Sequence, residues 1–320
     1  LQTLQEIAEV VKKLKSATIF THTRADGDTL GSGLALYFAL QQLHIPCEIC
    51  NDGDIPEKFR FLEGIDEIRK KPVLDGEGYL CVDSAEEKRL GDLETVFVLN
   101  KRKKITVNID HHISNTKYAQ YNFVRERSSN SQNMAEFIPL LGVETDKKIA
   151  TALFMGMTTD SGNFTHKDVD GDAFRVAANL IDKGVDVDKV NYQMFKKQSK
   201  ARAALYGATM SEIRYFLEDK LAVITTTKKM IATYGADPSD TEGFVDFPLS
   251  VDGVEVAVAI LEVKPRQYKL SLRSKGKTNV NAIAAVFGGG GHILASGCMM
   301  FGELEEVIDK LRYTVSQYLE

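Results

Sequence analysis

The chain has 320 residues, 43% of them hydrophobic and 27% charged, and a formal net charge of −5. That length is more than one core ordinarily serves, so two domains are expected, and the composition excludes fibrous, collagen-like and disordered classes. The negative balance argues against a protein that grips long duplex nucleic acid, and no apolar run reaches the ~20 residues that would span a bilayer.

No signal peptide is visible at the start, and with no membrane-spanning run the expectation is an intracellular, cytoplasmic protein with no membrane partner. Four cysteines are too few and too scattered for a disulfide framework. Cys47 and Cys50 form a CxxC, but their segment alternates like a half-buried strand and no second pair follows. All four therefore read as reduced structural thiols.

Taken in order, the first half alternates strand and helix. An apolar, β-branched run over 17–23 predicts a buried strand, and small residues followed by helical spacing predict a helix over 29–43. Further strands are expected at 47–50, 78–82 and 105–109, and helices at 131–141, 147–157 and 172–183. This is the pattern of an α/β domain, a mostly parallel sheet flanked by helices, over 1–187. Residues 188–210 read as a polar helical linker. From 211 to 320 the chain becomes strand-rich, with strands at 215–216, 221–226, 254–263 and 268–272. Helices at 279–287 and 303–318 flank a glycine-rich loop, which makes a smaller C-terminal α+β domain.

Four short segments carry ligand-type residues, and three of them close a predicted strand. They are His22-Thr23-Arg24-Ala25-Asp26-Gly27-Asp28, Val82-Asp83-Ser84, Asp110-His111-His112 and, just past a predicted helix, Thr159-Asp160-Ser161-Gly162. In open α/β sheets, ligands bind at the carboxyl ends of strands, where separate segments converge. Asp and His together suit divalent metals such as Mn²⁺, Fe²⁺, Co²⁺ or Zn²⁺, whereas an all-oxygen cage would suit Mg²⁺ or Ca²⁺. Clustered carboxylates repel one another, and two bound cations would remove that penalty while activating water between them. His44 and His166 lie outside these segments and read as structural or solvent-facing.

Taken together and in this order, the four segments resemble the DHH phosphoesterase superfamily. The later Gly288-Gly289-Gly290-Gly291-His292-Ile293-Leu294-Ala295-Ser296-Gly297 is similar to the signature of its C-terminal DHH-associated domain. The length is nearest to the nano-RNase and pAp phosphatase branch, which includes cyclic-dinucleotide phosphodiesterases. The resemblance implies two divalent metals, in this family usually Mn²⁺. His22 and Asp26 would hold one, Asp28, His111 and Asp160 the other, and Asp83 would bridge them. It also implies that His112 faces the substrate phosphate and that Asp110 orients the histidines, and these two join Arg24 as the candidate catalytic set. Ala25 stands where that branch often has Pro, and Ser128-Ser129-Asn130-Ser131-Gln132 departs from the family's version.

The second domain is expected to bind substrate and to close over the first, with the linker as hinge. Between Lys264 and Lys277 lie six basic residues and no acidic one. Lys269, Ser271, Arg273, Lys275 and Lys277 occupy alternate positions with Leu270 and Leu272 between them, the pattern of a strand with one basic face. The resemblance implies a nucleotide-phosphate contact at Arg273 and Ser274. Lys275, Gly289, Gly290, Gly291 and His292 complete the candidate substrate contacts, the glycines allowing close backbone approach to an anion. The expected activity is hydrolysis of a short oligoribonucleotide, pAp or a linear or cyclic dinucleotide. The alternatives are a RecJ-like single-strand exonuclease, a manganese pyrophosphatase and a non-catalytic nucleotide sensor. A homodimer is the ordinary default for such an enzyme.

Overall fold

The computed structural model describes residues 1–319, and the chain divides into two compact units, Leu1–Lys197 and Gln198–Glu320. The first is α/β. Its elements are α1 (Leu4–Val11), β1 (Ala17–Phe20), α2 (Gly27–Gln42), β2 (Cys47–Cys50), β3 (Gly78–Val82), α3 (Leu93–Asn100), β4 (Ile105–Asp110), β5 (Tyr121–Val124), α4 (Asn130–Leu140), α5 (Lys147–Asp160), α6 (Gly171–Asp182) and α7 (Val187–Asn191). The five strands run parallel in the order β2-β1-β3-β4-β5. Both faces are covered, which is why the central strands are apolar throughout rather than alternating. Ile19, Leu80, Val82, Val107 and Ile109 pack under α1, α2, α4 and α5, while Phe20, Tyr79 and Cys81 pack against Leu93 and Phe97 of α3.

The element boundaries bear on function. The first strand stops at Phe20, so residues 21–26 are free to form a loop. α2 starts at Gly27, two residues earlier than its spacing suggests, because the Asp26 carboxylate caps it by accepting from the Thr29 amide at 3.0 Å. β4 extends through Asp110, and α5 runs on to end at Asp160 rather than before it. Short elements that periodicity did not signal are α1, α3 and β5. The segment 188–210 is not one helix: α7 passes into a single π-helical turn, Tyr192–Lys196, and a new helix is capped by Ser199.

α2 and α5 cross with their backbones almost touching. A Cβ placed on Gly31 would lie 2.4 Å from the Ala152 carbonyl oxygen and 3.2 Å from Gly156 Cα. A Cβ on Gly156 would in turn lie 2.1 Å from Ser131 Oγ and 3.1 Å from Asp28 Oδ1. No residue larger than glycine fits this crossing unless the helices separate.

The second unit holds α8 (Lys200–Met210), β6 (Arg214–Phe216), β7 (Leu221–Thr226), α9 (Lys228–Tyr234), α10 (Asp246–Ser250), β8 (Val256–Lys264), β9 (Gln267–Ser274), α11 (Val280–Val286), β10 (Gly290–His292), β11 (Ala295–Phe301) and α12 (Leu304–Ser316). Its mixed sheet has the order β10-β11-β9-β8-β7-β6, with β7 and β8 parallel and every other pair antiparallel. Leu270, Leu272, Val258, Ile260 and Met300 bury one face against Ile283 of α11 and Ile308 and Leu311 of α12. On the opposite face Ile224 of β7 packs with Leu205 of α8, Ile231 of α9 and Phe244.

Two expectations in this unit are corrected. Part of the expected glycine loop is an edge strand: Gly290, Gly291 and His292 pair with Gly297, Ser296 and Ala295. A Cβ on Gly289 would sit 2.2 Å from the Gly297 carbonyl oxygen, and one on Gly291, which has φ +150°, would sit 2.6 Å from the Ala295 carbonyl oxygen, so these two glycines let the chain run tight against β11. The basic ribbon is also shorter than expected. β9 ends at Ser274, so Lys269, Ser271 and Arg273 share a face while Lys275 and Lys277 lie in the following turn.

Gly31→Ala is expected to lower stability by about 1–3 kcal/mol, read as a lower midpoint in urea. Alanine's helix propensity favours the change by about 1 kcal/mol, but the clash is with backbone that cannot rotate away. Gly207→Ala in α8, where a Cβ meets nothing within 4 Å, should raise stability by about 0.5–1 kcal/mol in the same assay.

Candidate metal centre

Eight of the residues singled out above converge at the carboxyl edge of the parallel sheet. Three overlapping sets each bring ligand atoms within 4.8 Å of one another: His22, Asp26 and Asp83; Asp28, His111 and Asp160; and Asp83, Asp110, His111 and His112. His44 and His166 belong to none of them. Asp83 is the shared member. Its Oδ2 lies 3.4 Å from His22 Nε2 and its Oδ1 3.3 Å from His111 Nε2. His22 Nε2 is also 3.3 Å from Asp26 Oδ2, and His111 Nε2 is 3.6 Å from Asp160 Oδ2 and 3.9 Å from Asp28 Oδ2. Asp83 sits just past β3 with φ +53°, a left-handed conformation that Asp tolerates better than most residues and that marks a constrained position.

Each ligand atom is aimed by the fold. Asn51 Nδ2 donates to the His22 carbonyl at 2.7 Å and to Thr21 Oγ1 at 2.9 Å, which fixes the loop after β1. The Asp28 carboxylate accepts from the Asn130 and Ser131 amides at 2.5 and 2.8 Å, so the N-terminus of α4 holds it. His111 Nδ1 bonds the Arg127 carbonyl at 2.9 Å, leaving Nε2 turned toward the carboxylates. Asp110 therefore orients only one of the two histidines. Its Oδ1 takes His112 Nδ1 at 2.8 Å, and its Oδ2 accepts from Asn115 Nδ2 at 2.6 Å.

The electrostatics are those of a site built for cations. Burial resists charging of His22, but the Asp26 and Asp83 carboxylates outweigh it and raise the imidazole to about 9. Burial likewise opposes charging of His111, and Asp83 with Asp28 raises it to about 10. Asp83 stays well below the usual carboxylate range despite burial, because both histidines face it. Burial and the neighbouring Asp83 and Asp160 charges push Asp28 well up, and burial together with Asp83 and Asp26 lifts Asp160 to about 6. His22 Nε2 and Asp83 Oδ1 are buried with no hydrogen-bond partner. Unpaired lone pairs in such a place are costly unless a cation takes them, so the donor set fits a pair of divalent ions.

Several residues of the site carried no signal in the sequence. Arg89 NH1 lies 2.8 Å from His112 Nε2. Because a guanidinium can only donate, this nitrogen accepts and the ring proton sits on Nδ1, toward Asp110. Asn115, Asn108 and the α4 amides also act only through tertiary contact. Arg24 is exposed on the loop between β1 and α2 and lies on the wall of a cavity that His22 also lines.

In the second unit, His292 pairs with Ala295, which pairs with Arg273, so His292 and Arg273 stand in one row on one face of the sheet. Lys269, Ser271 and Arg273 line a cavity of about 410 Å³ together with Ala259, Leu261 and Phe244. Ser274 points to the covered face, where its hydroxyl donates to the Thr278 carbonyl at 2.6 Å, and Lys275 Nζ donates to the Val251 carbonyl at 2.9 Å. All four cysteines are unpaired, and burial pushes the Cys47, Cys50 and Cys81 thiols up to about 12 and Cys298 to about 11. Such thiols are inert as nucleophiles or ligands. Among the described residues, no helix is long and apolar enough to cross a membrane.

A fold of this kind, ending in a His–Asp cluster fit for two cations, defines a metal-dependent hydrolase, and the comparisons with known proteins agree. The N-terminal domain of the DHH family matches residues 16–157, and the DHHA1 domain matches residues 223–320. The bifunctional oligoribonuclease and PAP phosphatase NrnA of Thermus thermophilus is 31% identical, over 98% of this chain and 93% of its own length. The Bacillus subtilis protein of the same name is 22% identical over 92% of this chain and 93% of its own. Among solved structures, an exopolyphosphatase-related protein from Bacteroides fragilis superposes with a TM-score of 0.86 at 26% identity, covering 98% of this chain and 96% of that one. RecJ of Thermus thermophilus shares the fold at a TM-score of 0.56 and 12% identity, with this chain matching 55% of its length. The chain belongs to the DHH family of phosphoesterases, and it is an enzyme of the hydrolase class.

Cation binding must expel the protons that His22 and His111 hold to about 9 and about 10. Affinity should therefore fall as pH is lowered from about 9 to about 7, with protons released on binding at the lower pH. Calorimetry with Mn²⁺ in buffers of different ionisation enthalpy reads both quantities. An affinity flat with pH and no proton release would contradict this ligand set.

Proposed function

We propose that the chain hydrolyses short oligoribonucleotides and pAp, together with linear or cyclic dinucleotides, using two divalent cations of which Mn²⁺ is the preferred one. The observation that carries this reading is the Asp83 carboxylate, with one oxygen beside each of two imidazoles and a buried, unpartnered lone pair on Oδ1. His22 and Asp26 would hold one cation, Asp28, His111 and Asp160 the other, and Asp83 both. Two cations so held would acidify water between them and offset the charge of a phosphate ester. Further support comes from the relatives in Thermus thermophilus and Bacillus subtilis, both named as oligoribonuclease and PAP phosphatase.

The chain's own residues set the rest. Asp110 holds His112 by Nδ1 and Asn115 braces Asp110, so the imidazole edge beside Asp83 is fixed in orientation. The guanidinium of Arg89 lies on the other ring nitrogen and offers spare N–H donors to a phosphate oxygen or a leaving oxygen. His112 can deliver a proton from Nε2 only after Arg89 leaves that nitrogen. In the second unit, Arg273 and His292 share an open sheet face, with the small residues Ala295 and Gly297 between and beside them. This face suits a flat nucleotide whose phosphate reaches the guanidinium.

The test is Mn²⁺-dependent hydrolysis of pAp, pApA, a five-nucleotide RNA, cyclic di-AMP, long single-stranded DNA and pyrophosphate. Mononucleotide release from the first three, abolished by chelator, is the expected result. Activity confined to long DNA or to pyrophosphate would overturn the substrate assignment, and silence throughout would leave a nucleotide sensor. Asp83→Ala should lower turnover of pAp by about a thousandfold or more. Arg273→Ala should act mainly on binding, raising KM by about 10–100-fold while kcat moves less.

A further inference from the structure

Beside the candidate metal centre lies a second cavity, wholly within the first unit, of about 460 Å³ and lined by His22, Thr23, Arg24, Glu86, Lys88 and Arg89. Three of these six residues are cations and one is a carboxylate. The volume falls within the ~300–1,000 Å³ of small-molecule sites, enough for a sugar phosphate rather than an ion alone. The wall is built from two loops held together, since the Thr23 amide donates to the Arg89 carbonyl at 2.8 Å. It meets the metal cluster at two points, through His22 itself and through Arg89 on His112 Nε2.

Arg24 and Lys88 are set apart from the cluster's own electrostatics. Neither pairs with any described carboxylate, although Asp26 is two residues from Arg24 and Glu86 two from Lys88. A cation meant for the reacting phosphate would stand within reach of the ligand carboxylates and pair with them. These two instead line the cavity that adjoins the cluster at His22, where a second anion would be their natural partner.

Resting on the phosphoesterase reading above, we propose that this cavity binds the second, non-reacting phosphate of the substrate. Arg24 and Lys88 are its specificity-determining residues, and Arg89 joins it to the reacting centre. The ligand class is a nucleotide with two phosphates, one to be cleaved and one to be held: a nucleoside bisphosphate or a 5′-phosphorylated dinucleotide. The cavity thereby makes the enzyme selective for such substrates over nucleotides with a single phosphate.

The experiment compares kcat/KM for pAp and for 3′-AMP, which differ only in the 5′-phosphate, in the full-length Mn²⁺-loaded protein. The wild type should favour pAp. Lys88→Gln should lower the ratio of the two efficiencies about tenfold, through KM for pAp, and Lys88→Arg should restore it. Unchanged melting temperatures separate this effect from misfolding. An unchanged ratio in Lys88→Gln, or an equal loss on both substrates, would overturn the proposal. So would equal efficiency of the wild type on the two, with the phosphoesterase reading left standing. Hydrolysis of neither compound, nor of a dinucleotide, would remove that reading and this one with it.

Discussion

The first unit depends on one close approach, the crossing of α2 and α5 at Gly31 and Gly156. There the backbones meet with no room for a Cβ, and the first turn of α2 is drawn against the last turn of α5. Asp28 and Asp160, 132 positions apart in the sequence, owe their proximity to that contact. The same crossing brings Ser131 over Gly156 and so seats the N-terminus of α4 on the Asp28 carboxylate. One glycine contact thus positions three helix ends, and each of them supplies or steadies a candidate ligand. The sheet contributes the remainder, because β1, β3 and β4 are parallel neighbours and end on the same side.

What this arrangement gathers is unfavourable by itself. Asp26, Asp28, Asp83, Asp110 and Asp160 lie together, and most are shielded from water. Helix amides offset part of the repulsion at Asp28, and the histidines offset part of it at Asp83. The raised carboxyls of Asp28 and Asp160 and the raised imidazoles of His22 and His111 are the remaining imbalance, which protons relieve when cations do not. Metal binding and proton release are therefore two sides of one equilibrium. The contacts around the candidate ligands are specific for the same reason: a buried donor set can take a cation only if each lone pair points to one place.

The second unit solves a different problem, that of keeping one half of a sheet face open. α11 and α12 cover one face from β7 to β11, while α8, α9 and the segment around Phe244 cover only the β7–β8 half of the other. Over β9, β11 and β10 that second face stays open, with Arg273 and His292 in one row and glycine or alanine between the larger side chains. Gly289 and Gly291 lay the chain tight on β11, where a Cβ would meet backbone. His292 is carried to its position by strand register rather than by a flexible turn.

The sequence by itself determined the two-part α/β and α+β organisation, the order of the central elements and the ligand-type residues of the first unit. It could do so because these depend on local signals. Apolar runs make buried strands, helical spacing makes helices, and Asp and His at strand ends leave few chemical roles open. Tertiary structure alone decided which atoms meet. That Asp83 takes a left-handed backbone and faces two imidazoles, that the Arg127 carbonyl rather than Asp110 turns His111, and that Arg89 reaches His112 all depend on contacts between distant segments. Element ends were poorly legible for a related reason. Asp160 belongs to α5 and Gly290–His292 to a strand because packing partners extend them, where propensity alone would stop. Ser274 and Lys275 are adjacent to Arg273 in sequence, yet β9 turns the first to the covered face and ends before the second. Periodicity shows which face a residue takes while a strand lasts, and only long-range pairing fixes where the strand stops.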